Sequence, residues 1–406
     1  MNRRIVVKKY GGTSVGSIER IEKVAARILK DYNSGQLPVI VVSAMSGETN
    51  RLVDLAQQID PMNRGPAYDL LVASGEQVSV GLVAMALEKC GLKTQPLLAF
   101  QLGIETDSVY SKARIKNIRT QELQRFITQG IIPVVAGFQG VDENLNVTTL
   151  GRGGSDTTAV ALAAAINASE CEIYTDVPAV FSADPRLVPK AKEIKKLSFD
   201  EMMEMASLGS KVLHIRSVEL GAKYNVRIHL RSTFEEREGT WIVPEGEIME
   251  QAVVSSVTHD PNTIVFKLFP VPPETSFLSQ LFTRLAEKGV VVDIITQSQS
   301  EAGQRLAFSV TQEDYPLAEV VLRELLPENN VTKEVIPKMA KVSVVGVGMR
   351  NHPGVAARFF TVLASHNIQI HLVTTSEIKI SAVIDEANLK IAAQSLHNAF
   401  ELDQTH

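Results

Sequence analysis

The chain has 406 residues, of which 45% are hydrophobic and 21% are charged, a composition typical of a globular protein with two or three domains. Its formal net charge of −5 argues against a nucleic-acid-binding protein, which would usually carry a basic patch. Because no apolar run approaches the length of a membrane span and the N-terminus lacks the features of a targeting peptide, we expect a cytoplasmic protein without a membrane partner.

Up to Trp241 the chain alternates between short apolar runs rich in β-branched residues and stretches with helical periodicity. This alternation predicts an α/β domain with a mostly parallel sheet that helices cover on both faces. The predicted strands are RRIVVKKY (3–10), LPVIVVSA (37–44), IIPVVAGF (131–138), ECEIYTDV (170–177) and NVRIHLRS (225–232). The predicted helices are Ser17–Tyr32, Ala67–Lys89, Thr120–Gln129, Ser155–Asn167, Ser198–Ala206 and Ile215–Tyr224.

The first predicted strand leads into KKYGGTS (8–14), a glycine-containing turn at the strand end where ligands bind in such folds. Lys9 could place a point charge on a phosphoryl group, and Thr13 and Ser14 add hydrogen-bond donors. The spacing is not that of a Walker loop, so an ordinary strand-to-helix turn is the alternative interpretation.

A second feature is Glu76, which falls inside the apolar helical stretch ASGEQVS (73–79). Burying a lone carboxylate is costly unless it has a partner. That partner is either a structural arginine or the ammonium group of a ligand.

The most unusual stretch is TTLGRGGSDTTAVALAAA (148–165), which follows a predicted hairpin with its turn at Asp142–Asn146. Glycines at 151, 153 and 154 allow backbone N–H groups to approach an anion, and the helix N-terminus adds partial positive charge. Arg152 offers a planar guanidinium that matches a carboxylate or phosphate, and Asp156 could hold a lysine or a metal. The alternative is a glycine-rich turn with Asp156 as a simple N-cap.

Beyond Trp241, residues 243–262 are a plausible connector, and an internal repeat follows. Phe282–Ser298 aligns with Phe360–Ser376 at a displacement of 78 residues. Each copy is predicted to be a small βαββαβ module. Because one such module leaves a sheet edge or face uncovered, we expect the copies to pair and to form a homodimer.

The chain offers no CxxC or HExxH pattern, so we expect no transition-metal site. Cys90 and Cys171 are interpreted as small buried hydrophobic residues in a reducing cytosol.

Taken together, these motifs resemble the aspartate kinase family, in order from about Val7 to Leu402. That resemblance implies a three-layer αβα amino-acid-kinase domain at 1–245 and a tandem pair of ferredoxin-like ACT modules at 246–406. The first module would occupy about 264–338, and the second about 339–406 plus a strand near 250–258. It also implies ATP and Mg²⁺ as cofactors and L-aspartate as the substrate. The matching segments are KYGGTSVGS, VVSAMSGETN, GEQVS, GFQGVDE, TTLGRGGSDTTAVALAAA, YTDVPAVFSADPR, EMASLGSKVLHIRSVE and TSEIKIS.

Individual roles also follow from this resemblance. Lys9 matches the lysine on the transferring phosphoryl group, and Asp156 matches the carboxylate that organises that lysine. The positions that match aspartate-binding residues are Thr49, Glu76, Arg152, Gly153, Gly154 and Ser155. The positions that match ATP-binding residues are Lys9, Tyr10, Gly11, Gly12, Thr175, Asp176, Phe181, Asp184, Arg186 and Lys211. Phe181 stands where the family usually has tyrosine, and KVLHI replaces the common KVLHP; neither change touches a charged position.

ACT pairs bind amino acids at shared interfaces, and the family is commonly inhibited by lysine, threonine or both. The positions that match effector-binding residues are Asp293, Gln297, Val355, Ala356, Gln369, Ile370, Ser376 and Glu377. The first module departs from the usual D-x-P-G loop, with Pro273 in place of aspartate and Ser276 in place of glycine. We therefore expect weakened or altered feedback there, the alternative being a purely structural ACT pair.

Two rival functions stay open at this point: a kinase for glutamate or N-acetylglutamate, and a catalytically inactive amino-acid sensor. The presence of Glu76 as a candidate ammonium ligand counts against the first. The intact set Lys9, Arg152, Asp156 and Lys211 counts against the second. The sequence does not determine the effector, or whether the dimer expected through the ACT modules extends to a tetramer.

Overall fold

The computed structural model describes residues 3–209, 212–248, 252–272, 274–301 and 303–404. The chain divides into two compact units. The first contains Met1–Val180, Glu193–Ala206 and Lys211–Met249, and the second contains the remaining segments. Two short segments, Phe181–Lys192 and Ser207–Ser210, therefore belong to the second unit, although a contiguous boundary near residue 245 would have placed them in the first.

The first unit is built on an eight-stranded sheet with a smaller four-stranded sheet beside it. Its helices are α1 (Ile18–Asn33), α2 (Glu48–Ile59), α3 (Pro66–Val72), α4 (Ser74–Lys89), α5 (Ala99–Leu102), α6 (Gln121–Thr128), α7 (Gly154–Ala165), α8 (Phe199–Ser207) and α9 (Ile215–Tyr224). Its strands are β1 (Arg4–Tyr10), β2 (Gln36–Val42), β3 (Thr94–Leu97), β4 (Ile104–Thr106), β5 (Ile115–Ile118), β6 (Ile132–Ala136), β7 (Gln139–Val141), β8 (Val147–Thr149), β9 (Cys171–Thr175), β10 (Lys196–Ser198), β11 (Ile228–Ser232) and β12 (Thr240–Val243).

The large sheet has the strand order β10-β12-β11-β9-β1-β2-β6-β3. From β11 to β3 neighbouring strands are parallel, with β1 at the centre between β9 and β2, while β12 is antiparallel to β11. This arrangement confirms the predicted α/β class. All the strands predicted in the N-terminal part are present, and their carboxyl ends meet at one edge, where the signature loops begin.

Two helices show how the local sequence produces its element. In α1, Ser17 is the N-cap and its side chain accepts a hydrogen bond from the Arg20 N–H. Its buried residues Ile21, Val24, Ala25 and Ile28 recur at helical spacing and form one apolar face. The helix α7 is instead buried on every side from Gly154 to Ala163, which its small side chains allow.

One helical prediction needs correction. The predicted helix Ala67–Lys89 is two helices, α3 and α4, which meet at Ala73. Together Pro66–Lys89 are long and apolar enough to cross a membrane by length and composition, contrary to the expectation that no stretch reaches that length. Half of the apolar window is buried within the protein, and the core helix of a globular protein passes the same test. The helix α2, at the end of a segment interpreted as a loop, was not predicted.

The second unit is one antiparallel six-stranded sheet with the order β14-β15-β13-β16-β18-β17. Its strands are β13 (Ser256–Val271), β14 (Val292–Ser300), β15 (Gly303–Thr311), β16 (Thr332–Val345), β17 (Ile370–Ser376) and β18 (Lys379–Asp385). Its helices are α10 (Thr275–Glu287), α11 (Tyr315–Glu328), α12 (Val355–Ser365) and α13 (Leu389–Ala399).

The long strands β13 and β16 each serve both copies of the repeat. Ser256–Asp260 pair with Lys341–Val345, while Thr263–Phe269 pair with Thr332–Met339. Residues 256–260 precede the first copy in the chain, yet they form a strand of the second copy. Helices α10 and α11 cover one apolar core of this sheet, and α12 and α13 cover another.

Candidate active site

The centre of the candidate site is an ion pair between Lys9 on β1 and Asp156 in the first turn of α7. The Lys9 Nζ lies 2.6 Å from the Asp156 Oδ1, and each side chain is 11% exposed. The preceding residue, Lys8, points to the opposite face of the sheet because side chains alternate along a strand. There it is buried and pairs with Asp31 and Glu172. Two adjacent lysines thus have different roles, and Lys9 is the one that faces α7.

The two glycines after β1 do not have a positive φ, so backbone conformation does not require glycine there. What requires glycine is the close packing of neighbouring atoms. A Cβ on Gly11 would lie 3.3 Å from the Lys9 Nζ, and a Cβ on Gly12 would lie 2.8 Å from the Ala44 carbonyl oxygen. These contacts bring the ends of β1 and β2 together beside Lys9. The Tyr10 ring is fully buried and stacks on Tyr174, so the backbone of Tyr10, not its hydroxyl, faces this turn.

One predicted anion donor is already engaged. Ser14 is fully buried, and its hydroxyl lies 2.6 Å from the Thr233 hydroxyl oxygen. Either hydroxyl can be the donor in this contact, so the role of Ser14 as a donor to an anion stays a prediction.

Glu76, near the start of α4, is 2% exposed. Its Oε1 accepts a hydrogen bond of 3.1 Å from the Ala44 N–H, whereas its Oε2 has no hydrogen-bond partner within the described part of the chain. Burial raises the pKa of this carboxyl group to about 7. A buried carboxylate oxygen without a protein partner is suited to an ammonium group supplied by a ligand.

The glycine loop before α7 has the conformation that its sequence requires. Gly151 and Gly153 have φ values of +78° and +67°, in the left-handed region that favours glycine. A Cβ on Gly153 would lie 2.1 Å from the Cβ of His214, so no other residue fits there. Gly153 is also the N-cap of α7. The alternative that Asp156 merely caps this helix is therefore wrong, because Asp156 lies within the first turn and pairs with Lys9.

The remaining candidate aspartate-binding residues lie on elements that border this centre. Ser155 is buried in α7, and a Cβ on Gly137, just after β6, would lie 2.7 Å from the Ser155 side chain. Thr49 is half-buried in the first turn of α2. Arg152 is exposed between the two left-handed glycines. Strands β1, β2 and β6 thus meet the glycine loop at their carboxyl ends.

The candidate nucleotide-binding residues are divided between the two units. Thr175 ends β9 and Asp176 follows it in the first unit, where the Gly11 N–H donates to the Tyr174 carbonyl at 3.2 Å. Phe181, Asp184 and Arg186 belong to the second unit. There the Arg186 guanidinium is exposed and pairs with Asp184 at 2.7 Å. Lys211 lies outside the described residues.

The candidate effector residues all lie in the second unit, mostly at its surface. Asp293 on β14 is paired with the buried Lys341 of β16. Gln297, Ala356, Gln369, Ser376 and Glu377 are exposed, Ile370 is half-buried, and Val355 is buried at the start of α12. Val355 also lines a cavity of about 590 Å³ beside His352 and Arg358. Of the altered loop in the first copy, Ser276 is in α10, while Pro273 lies outside the described residues.

The described residues contain no group of three or more histidine, cysteine or acidic side chains that could hold a metal ion. Both cysteines are free: Cys171 is buried as expected, whereas Cys90 is only half-buried. Burial raises the pKa of the Cys171 thiol.

Sequence reasoning missed two residues that hold the glycine loop, Asp69 and Arg216. The signal for Asp69 was available: like Glu76, it is a carboxylate in an apolar helical stretch, and it is fully buried. Arg216 lies inside the matching segment EMASLGSKVLHIRSVE, but it was given no role, because an arginine early in a helix is usually at the surface.

Comparisons with known proteins agree with this geometry. The amino acid kinase family matches residues 4–232, and an ACT domain matches residues 342–400. The chain is 48% identical to aspartate kinase Ask_LysC of Stutzerimonas stutzeri and 44% identical to aspartokinase 2 of Bacillus subtilis, in each case over 98% of both chains. The structure of E. coli aspartokinase III in complex with aspartate and ADP has a TM-score of 0.81 at 25% identity, covering 98% of this chain and 99% of that one.

Proposed function

This chain belongs to the aspartate kinase family, and from that premise we propose how its residues bring the two substrates together. It transfers the γ-phosphoryl group of ATP to the side-chain carboxylate of L-aspartate, giving 4-phospho-L-aspartate and ADP. Its place is in amino-acid biosynthesis, and we propose that this is the first step towards lysine, threonine, methionine and diaminopimelate. The family assignment supports neither the glutamate-type kinase nor the inactive sensor.

The chemistry requires charge neutralisation more than proton transfer. The side-chain carboxylate of aspartate has an ordinary pKa of about 3.9, so it is already an anionic nucleophile at neutral pH. The obstacle is its repulsion from a triphosphate. Catalysis therefore depends on alignment and on cations placed where negative charge is shared between the attacking and leaving oxygens.

We assign the phosphoryl-binding role to Lys9. Its ammonium group lies at the carboxyl end of the central strand, and Asp156 fixes its direction. The backbone of Tyr10, Gly11 and Gly12 would lie along the phosphates, where the absence of Cβ atoms permits close approach.

L-Aspartate would bind on the opposite side of Lys9. Glu76 would accept the substrate ammonium with its unpartnered Oε2. Arg152 would bind one substrate carboxylate with its planar guanidinium. Thr49, Ser155 and the amides of Gly153 and Gly154 would complete the hydrogen bonds. This assignment accounts for each charged group of aspartate.

The nucleotide contacts proposed for Thr175, Asp176, Phe181, Asp184, Arg186 and Lys211 rest on the family resemblance. Phe181 lacks the hydroxyl of the usual tyrosine, so one contact there would be missing.

Mg²⁺ would be bound chiefly by the ATP phosphates. Mg²⁺ at such sites keeps several waters and takes one or two carboxylates, so it needs no cluster of protein ligands. Its charge would neutralise the phosphates. The protein residues would supply the remaining positive charge and the alignment of the substrates.

The ACT region supports allosteric regulation by an amino acid, as is consistent with the family. We propose lysine, threonine or both as the effector; the structure of E. coli aspartokinase III with lysine and aspartate has a TM-score of 0.80. We also propose a cytoplasmic homodimer formed through the ACT modules, with a tetramer as the alternative.

The Lys9–Asp156 ion pair at the strand ends is the observation that carries the proposed mechanism. We expect Lys9→Ala to lower kcat by about 100- to 1,000-fold, because one charge on the transferring group is lost. The dissociation constant for ATP should change far less. Coupled ADP-release kinetics and nucleotide titration measure the two effects.

Lys30→Ala is the control, since Lys30 is an exposed lysine paired with Glu236 and should leave both quantities unchanged. Equal losses in turnover and in ATP binding for Lys9→Ala would contradict the assigned role.

A further inference from the structure

We propose that Asp69 and Arg216 are positioning residues for Arg152. They hold the backbone on the approach to the glycine loop, and in doing so they set the affinity for L-aspartate. The inference rests on the proposed role of Arg152 in binding a substrate carboxylate. Asp69 lies outside the segments that carry the family resemblance, and Arg216 lies inside one of them without having been assigned a role.

Asp69 holds the chain from the side of α3. Its carboxylate is fully buried, and its Oδ2 accepts a hydrogen bond of 2.6 Å from the Thr149 N–H. Thr149 is the last residue of β8, two residues before Gly151. The same carboxylate accepts the Ser111 N–H at 3.0 Å and the Ser111 hydroxyl at 3.3 Å. One buried group therefore joins β8 to the loop that precedes β5.

Arg216 holds the next residue from the side of α9. Its half-buried guanidinium donates to the Leu150 carbonyl through Nη1 and to the Ala113 carbonyl through Nη2, the latter at 2.9 Å. Thr149 and Leu150 are consecutive, and Gly151 follows directly. A carboxylate thus fixes one backbone N–H, and a guanidinium fixes the carbonyl of the next residue. Such charge-assisted hydrogen bonds are stronger than neutral ones.

Both residues also fix the surface on which the glycine loop rests. The Ala113 N–H donates to the Thr149 carbonyl at 2.9 Å, so residues 111–113 lie alongside the end of β8. A Cβ on Gly151 would lie 2.9 Å from the Ser111 carbonyl oxygen. The loop therefore packs directly against the segment that Asp69 and Arg216 hold in place.

Arg152 needs this external support. It is exposed, and it forms no side-chain hydrogen bond or ion pair with any other described residue. Its neighbours Gly151 and Gly153 are the residue type with the widest backbone freedom. The direction of its guanidinium therefore depends on how the backbone on either side is held. A displacement of about 1 Å at a substrate-positioning residue is enough to cost a large factor in rate or affinity.

The test begins with Asp69→Asn. We expect the KM for L-aspartate to rise about tenfold or more, while the KM for ATP stays within about twofold. The matched control is Asp314→Asn. Asp314 lies in the second unit, where its carboxylate also accepts a backbone N–H group, from Val291 at 3.2 Å. This control should lower thermal stability without changing either KM.

A double-mutant cycle with Arg152→Ala distinguishes positioning from a general structural role. If Asp69 acts through Arg152, Asp69→Asn should change the KM for aspartate by less than about twofold once Arg152 is absent. An undiminished effect in that background, or an equal rise in both KM values for Asp69→Asn alone, would overturn the inference.

The proposed function and this inference fail in different ways. If Arg152→Ala leaves the KM for aspartate unchanged, the assigned role of Arg152 fails, and the inference fails with it. If Arg152→Ala raises it but Asp69→Asn adds independently, the positioning inference alone fails. Should Asp69→Asn not fold, as judged by its thermal transition, the same cycle with Arg216→Gln decides.

Discussion

Glu76 combines full burial with a carboxylate oxygen that no described residue satisfies. Because burial raises its pKa to about 7, Glu76 in the free enzyme is mostly protonated at pH 6 and mostly ionised at pH 8. The ionised form is the one that binds an ammonium group. Proton release should therefore accompany substrate binding at the lower pH.

We expect the KM for L-aspartate to fall about tenfold between pH 6 and pH 8 and then to level off. Glu76→Gln should have a higher KM that does not depend on pH in this range. Initial-rate kinetics at fixed saturating ATP measure both, and the KM for ATP over the same range is the control. A pH-dependent KM that persists in Glu76→Gln would remove Glu76 from the ammonium site.

The same pKa shift has a consequence for stability. A folded-state pKa above the unfolded value means that the folded protein holds this proton more tightly, so stability falls as pH rises from about 4.5 to 7. Ionisation at pH 8 costs about 3 kcal/mol on this basis. The advantage of Glu76→Gln in unfolding free energy should therefore grow from pH 5 to pH 8. This is a stability cost that a structural salt bridge would not impose.

At the scale of elements, the glycine loop shows how backbone conformation and packing act together. Gly153→Ala should remove activity, because a left-handed φ is combined with a collision against His214. Gly130 is the matched control: its φ is +69°, and no described atom lies within 4 Å of a Cβ placed on it. Gly130→Ala should cost about 1 kcal/mol of stability and no activity.

ADP-release kinetics and thermal unfolding of both variants give the comparison. Comparable loss of activity in the two variants would mean that conformational strain, and not contact with His214, determines the outcome at Gly153.

Two elements of the second unit depart from a simple repeat. The first βαββαβ copy is one continuous segment, whereas the second takes a strand from each end of the region, because β13 and β16 run through both modules. The repeat at Phe282 and Phe360 predicted two modules, but local periodicity does not encode which strands pair. Pairing depends on contacts between residues that are far apart in the chain.

At the scale of the whole molecule, the candidate effector positions provide a test of regulation. Asp293 is already paired with Lys341, and the first module has Pro273 and Ser276 in place of the usual aspartate and glycine. If the resemblance holds for this loop, it would lack an acidic ligand for an effector ammonium. We expect lysine and threonine, alone or together, to inhibit weakly.

The double variant Pro273→Asp, Ser276→Gly should increase inhibition by restoring the acidic ligand. Inhibition curves with each amino acid and with the mixture measure this, and kinetics without effector provide the control. Tight concerted inhibition of the unmodified chain would contradict the expectation.

The amino-acid sequence by itself determined strands β1, β2, β6, β9 and β11 and most helices of the first unit, the internal repeat, and the residue types of the site. Strands β3, β4, β5, β10 and β12 were not predicted. Buried parallel strands, amphipathic helices and left-handed glycines have local signatures that a single chain displays. Motif resemblance then supplied the expected chemistry of Lys9, Glu76, Arg152 and Asp156. The break between α3 and α4 and the presence of α2 escaped prediction, because nearby glycine and hydroxyl residues favour loops as well as helix ends.

Only the tertiary structure decided which of these residues meet. Lys9 and Asp156 form their ion pair because β1 is central in the sheet and α7 begins beside its carboxyl end. Strand order likewise brings Asp69 and Arg216 from separate helices to adjacent residues of one backbone. The physical reason is that burial and sheet pairing join distant segments. No local sequence pattern determines the free energy of those contacts.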